Sequence, residues 1–182
     1  MATPLIFDLT GSSPVIRAAE MVREDVDGDG FQEVVTDVAF GTGLLVLDPV
    51  RLGERRACVH NGFEALRALA EDFARVGGDK QHLDAADLAF LEEQVGLRMR
   101  VGGFSGGDVR FAELGITRID LGDPEQIDSV DGAAADLFGN RYLRQAGARF
   151  TVRGQVREYV GIRFRVQARV ALDLWGGRLA AA

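Results

Sequence analysis

The sequence predicts an α+β domain, with β-strands at both ends of the chain, two central helices, and an acidic loop carried on a β-hairpin near the N-terminus. Three observations carry that reading. Residues 61–76, NGFEALRALAEDFARV, place Phe63, Leu66, Leu69, Phe73 and Val76 three and four positions apart, the spacing of one helix face. Residues 159–174, YVGIRFRVQARVALDL, instead alternate apolar with arginine or other polar residues, the period of a half-buried strand. Near the start, short apolar runs such as PLIFDL (4–9) and GLLVLD (43–48) end in glycine, proline or aspartate, as strands bounded by turns do.

Taken in order, residues 4–9 give a strand followed by the turn GSSP, and residues 14–22 fit either strand or helix. The acidic loop Asp25–Glu33 leads into VVTDVAF, which favours a strand, and Gly41 and Gly43 open the next one. The first helix has Asn61 as N-cap and Glu64 as its capping-box partner. The second, LDAADLAFLEEQV (83–95), has Asp84 as cap, and Asp87 places a negative charge in the first turn, where the helix dipole favours it. VGGFSGGD (101–108) reads as a glycine-rich loop, FAELGI as a helical turn stopped by Gly115, and TRIDL as a short strand. Residues 122–140 read as loop, ARFTV (148–152) as strand, and RGQ (153–155) as a hairpin turn. The 182 residues fit a single domain, with a β-rich acidic-loop part (1–60), a helical part (61–121) and a β-rich C-terminal part (139–175).

Composition narrows the function. Apolar residues at 47% supply a core and exclude wholesale disorder. A formal charge of −7, from 28 acidic against 21 basic residues, argues against nucleic acid as the main partner and suits cation binding where the acids cluster. Cys58 is the only cysteine, so an intrachain disulfide is impossible and a cysteine-built zinc site is excluded. Neither MATPLIFDLT nor any later stretch has the form of a signal peptide or a membrane span.

The acids cluster in one place. Calcium takes six to eight oxygen ligands, which a loop supplies by turning alternate side chains to one side. Asp25, Asp27 and Asp29 stand at loop positions one, three and five, and Gly30 at position six permits the sharp turn. Phe31 at position seven offers its carbonyl while its ring packs inward, and Glu33 at position nine brings a further carboxylate. Acids this close repel one another without a cation, so an ion relieves a cost already present. Position twelve is Thr36, where a helical calcium hand has a bidentate Glu, so the loop fits the strand-associated type that closes at position nine.

Other motifs are better explained structurally. DAAD (84–87) is a helix cap, DSVDG (128–132) a turn, and GGFSGGD lacks the lysine, preceding strand and long helix of a phosphate cradle. Ser105 has no histidine in a recognisable relationship to it. Arg163, Arg165 and Arg169 alternate as the solvated face of a strand, or as a stripe offered to an acidic partner.

The order of these motifs resembles the non-repeat calcium-binding domain of large bacterial secreted proteins of the RTX (hemolysin-type) group. The matching stretches are PLIFDL (4–9), DVDGDGFQE (25–33), GLLVLD (43–48), NGFEALRAL (61–69), LDAADLAF (83–90), AELGITRIDL (112–121), and the closing GNRYLRQAGARFTVRG (139–154) and GIRFRV (161–166). The family's further acidic loops are eroded here. PVRLGERRA follows Asp48, ARVGGDKQH precedes LDAAD, GGFSGGDVR precedes AELGI, and no DGDG run follows the first strand. The resemblance therefore implies one retained calcium loop on a scaffold kept for shape and contacts. It implies a non-enzymatic, calcium-stabilised structural or interaction protein, held to protein partners or to copies of itself, in an extracellular or phage-like or tail-like surface assembly. The competing class is a calcium-stabilised fragment of a secreted hydrolase, which requires a paired-acid or nucleophile constellation; none is evident in the sequence, and Asp120, Asp123 and Glu125 together in one pocket would supply one. A third, a calcium switch, is opposed by the missing position-twelve Glu.

Overall fold

A computed structural model of the chain describes residues 4–11, 21–26, 31–38, 41–46, 62–73, 81–129, 139–166 and 168–171. In chain order the elements are β1 (Leu5–Asp8), β2 (Met21–Glu24), β3 (Phe31–Thr36), β4 (Thr42–Val46), α1 (Gly62–Phe73), β5 (His82–Asp84), α2 (Ala85–Gln94) and β6 (Arg98–Val101). There follow β7 (Gly107–Val109), α3 (Phe111–Leu114), β8 (Ile116–Leu121), β9 (Ile127–Ser129), β10 (Arg141–Gln145), β11 (Ala148–Val152), β12 (Gln155–Arg163) and β13 (Ala168–Ala171).

The expected α+β layout, with helices segregated between two β ends, is not what forms. The protein is mostly β, built on a curled antiparallel sheet with only 3 short helices among the described residues. The middle of the chain contributes β5 to β9, and all five join the same sheet as the N- and C-terminal strands, whose main path runs β5-β8-β11-β12-β1-β4-β6-β7. β10 pairs with β12, and β9 with β10, beside that path. A second sheet of 3 strands runs β13-β3-β2. The acidic loop does lie on a hairpin, since β2 and β3 are antiparallel neighbours.

Two cores lie on opposite faces of the large sheet. On one face Phe7, Phe150, Ile119 and Tyr159 meet Phe63 and Leu66 of α1, Leu88 and Leu91 of α2, and Phe111 of α3. Phe7 stacks on Tyr159 at 4.7 Å and meets Phe150 edge-on at 4.9 Å, and the Tyr159 hydroxyl donates to the Asp120 carbonyl at 2.9 Å. On the other face Ile6, Leu44, Val160 and Ile162 pack against Val35 of the small sheet, with Phe164 closing the end. β1 is buried at all four positions, which explains its unbroken apolar run where a half-exposed strand would alternate.

Local chemistry sets the joints. The Asp84 carboxylate accepts from the Ala86 and Asp87 amides at 2.8 and 2.9 Å, and Asp87 Oδ2 accepts from the Asp84 amide at 3.1 Å, a complete capping box. α3 has no cap from its own N-terminal residue, Arg110. Buried Glu92 of α2 replaces it, accepting from the Phe111 amide at 2.8 Å, with Arg98 Nη1 4.0 Å from its other oxygen. Arg153 and Gly154 both have positive φ, 50° and 76°, as a two-residue turn between twisted strands requires.

The expected strand 159–174 is two strands in different sheets. β12 ends at Arg163, Phe164 turns into the second core, and β13 pairs with β3. The arginine stripe is thereby divided: Arg163 and Arg165 belong to the β12 end, and Arg169 stands opposite Glu33 in the small sheet. Asn61, Cys58, most of 14–22 and residues 130–138 lie outside the described residues.

Candidate metal centre

The β2–β3 register fixes the geometry of the acidic loop. Met21 stands opposite Thr36, Val22 opposite Val35, Arg23 opposite Val34 and Glu24 opposite Glu33. Asp25 therefore leaves β2 at the point where the hairpin opens, and Glu33 sits at the base of the same opening. Asp25 is half-buried, whereas Glu33 is 5% exposed. Glu33 Oε2 accepts a hydrogen bond from the Val26 amide at 3.1 Å, so position nine reaches back to the main chain at position two. The buried Glu33 carboxylate thus closes the base of the loop onto its own backbone.

Asp27 and Asp29, with Gly28 and Gly30, lie outside the described residues. Among the described residues no three His, Cys, Asp or Glu side chains converge as a metal-holding group. Phe31 starts β3 opposite Ala171 and is 42% exposed, where the motif predicts inward packing. Thr36, at position twelve, is buried in the frame: its hydroxyl accepts from Asn140 Nδ2 at 2.7 Å, and Asn140 Oδ1 accepts from the Arg165 amide at 2.9 Å. Position twelve thus ties the small sheet to the β10–β12 ribbon. The all-oxygen set Asp25, Asp27, Asp29, the Phe31 carbonyl and Glu33 suits a hard cation such as calcium.

Around the loop base lies a set of charges that motif spacing does not reveal. Desolvation raises the Glu24 carboxyl above its ordinary range; Arg100 opposes the shift, and Asp25 and Asp37 add to it. Arg100 of β6 grips Asp108 of β7 in a fork, Nε to Oδ1 at 2.7 Å and Nη2 to Oδ2 at 3.2 Å. Asp37, just past β3, accepts from the Phe104 amide at 2.8 Å and from the Val38 amide at 2.7 Å. The Phe104 ring meets Phe164 at 5.4 Å. The glycine-rich loop is accordingly the turn of the β6–β7 hairpin, clamped to the small sheet. Gly103, with φ 83°, has no room for a Cβ, which would collide with the Asp37 carboxylate. No spacing signal marks Asp37, because its partner is 67 residues away.

The remaining candidates serve local structure. Asp120 takes the Arg118 guanidinium at 2.7 Å, Asp123 accepts from the Glu125 amide at 3.0 Å, and Glu125 is exposed. Asp128 lies on β9 opposite Arg144, Ser105 is exposed, and residues 130–132 of DSVDG lie outside the described residues. No described helix is long and apolar enough to cross a membrane. No protein-family model matches the chain, and neither a curated protein nor a solved structure shows significant similarity to it.

Proposed function

We propose that this is a non-enzymatic, calcium-stabilised structural or interaction protein, a subunit of an extracellular or phage-like or tail-like surface assembly. The observation that carries the calcium part is the Glu33 carboxylate, buried at the base of the β2–β3 hairpin and turned onto the Val26 amide of the acidic loop. The assembly part rests on the resemblance in motif order and on the eroded companion loops, which fit a scaffold rather than a sensor. An ion bound by Asp25, Asp27, Asp29, the Phe31 carbonyl and Glu33 would fix the angle between β2 and β3. At millimolar extracellular calcium even a weak site stays filled. A hydrolase would instead need a paired-acid or nucleophile constellation; of the acids that could form one, Asp120 bonds Arg118 and Asp123 accepts from the Glu125 amide.

Asp27→Ala and Asp29→Ala test the reading. Each variant is expected to melt alike with calcium and with chelator, while the wild type melts higher in calcium. A wild-type calcium shift in both variants would place the ion elsewhere.

A further inference from the structure

We infer that the end of the β10–β12 ribbon is a binding site for the terminal phosphate of a small phosphate monoester, held by Arg141, Arg163 and Arg165. Arg141 stands directly opposite Arg163 in the antiparallel ladder, and both are exposed. Side chains so placed have Cβ atoms about 4.5–5.5 Å apart, and like charges there are unfavourable. Phe164, the next residue, is buried in the second core, so Arg163 and the exposed Arg165 point to the opposite side. Tyr142 packs against that same core, which puts Arg141 on the arginine side too. The three side chains therefore leave the ribbon from one side, beyond Leu143, which packs against the first core.

Arg165 is fixed at both ends. Its amide donates to Asn140 Oδ1 at 2.9 Å, and the fully buried Asn140 also donates to the Thr36 hydroxyl at 2.7 Å. Its side chain lies across Gly139, where an added Cβ would stand 2.7 Å from its Cδ and 3.2 Å from its Nη1. None of the three guanidinium groups makes an ion pair or a hydrogen bond among the described residues, whereas Arg100 and Arg118 are each engaged by an aspartate. A cluster of cations held together by the ladder carries a repulsion that a bound anion offsets. The geometry selects the anion. A carboxylate has two oxygens and is filled by one guanidinium fork, while the phosphate of a monoester has three terminal oxygens and nearly two charges, enough for forks from both strands. The chain's net charge of −7 leaves the rest of its surface acidic on balance. That opposes an extended polyanion and favours a ligand whose charge is confined to one group. The inference requires nothing of the calcium loop.

The test is isothermal titration of the protein with glycerol 3-phosphate in chelator. Acetate serves as the carboxylate control, and phosphatidylcholine vesicles containing phosphatidic acid present the same group on a lipid. The wild type is expected to bind glycerol 3-phosphate saturably and acetate at least about tenfold more weakly. Arg141→Gln/Arg163→Gln is expected to weaken binding at least about tenfold while melting close to the wild type, since the exchanged pair is exposed and like-charged. Arg141→Lys/Arg163→Lys keeps the charge, loses the forks and is expected to weaken binding as well. A wild type without saturable binding, a glutamine variant that binds as the wild type does, or acetate bound equally well would each overturn the inference. So would a lysine variant at full affinity, which would reduce the site to diffuse charge. Binding to the vesicles without binding to the soluble ester would overturn it too, and would make this face a membrane contact. Failure of the calcium reading shows separately, as a missing calcium shift in melting with glycerol 3-phosphate binding unchanged.

Discussion

Replacing Glu33 by Gln should lower stability in calcium far more than in chelator. In chelator, the amide side chain keeps an oxygen to accept from the Val26 amide, so the loop closure survives. The substitution also removes one of two carboxylates that stand directly opposite each other, Glu24 and Glu33. Relief of such a cross-strand like-charge pair contributes about 0.2–1 kcal/mol, and losing the charge opposite Arg169 of β13 costs about as much. The variant should therefore melt close to the wild type without calcium. In calcium at about 100 times its dissociation constant, the wild type gains about 2.7 kcal/mol from binding. A ligand set lacking the Glu33 carboxylate loses most of that gain. For a chain of this length each kcal/mol moves the midpoint by about 2–4 °C, so the variant should fall about 5–10 °C below the wild type. The assay is a paired thermal melt of both proteins in each condition, supported by urea titration. The reasoning is refuted if the gap between the two proteins is the same in both conditions, or if Glu33→Gln leaves the calcium shift whole.

Three further outcomes follow from the geometry. Glu92→Ala leaves the Phe111 amide without its acceptor and is expected to cost about 2–3 kcal/mol in urea unfolding, whereas Glu92→Gln costs under about 1; equal losses would show that the hydrogen bond is not what matters. Gly103→Ala forces a Cβ toward Asp37 at a positive φ and should cost about 1–3 kcal/mol, while Gly107→Ala, with open space around it, stays within about 0.5. The Glu24 carboxyl is raised by desolvation, so its contribution to stability is present below the ordinary value of 4.5 and is lost as pH rises through the folded value. In chelator, Glu24→Gln should therefore match the wild type near that lower pH and melt above it near neutrality. A difference independent of pH would contradict this.

What the sequence disclosed was mostly local. The Asp84–Asp87 capping box, the helix face of Phe63, Leu66 and Leu69, the stop at Gly115 and the Arg153–Gly154 turn each depend on residues within a few positions of one another. β5, β7 and β9, of 3 residues each, are too short for any period to register, and without them the middle of the chain looks helical. Residues 159–174 continue their alternation across a change of sheet, because Phe164 serves the second core without altering the pattern. The acidic loop was legible as a motif. Its surroundings were not, since Arg100 acts on Glu24, Asp37 holds the Phe104 amide and Asn140 holds Thr36 through contacts between distant segments of the chain.

The most direct test of the central claim is a thermal melt of the wild-type chain with calcium, with magnesium and with chelator, with light scattering on the same samples. The account predicts a rise in melting temperature that calcium produces and magnesium does not, together with particle mass that grows with concentration. Identical melts in all three conditions would contradict it, and would leave the Asp25–Glu33 segment an ordinary acidic turn.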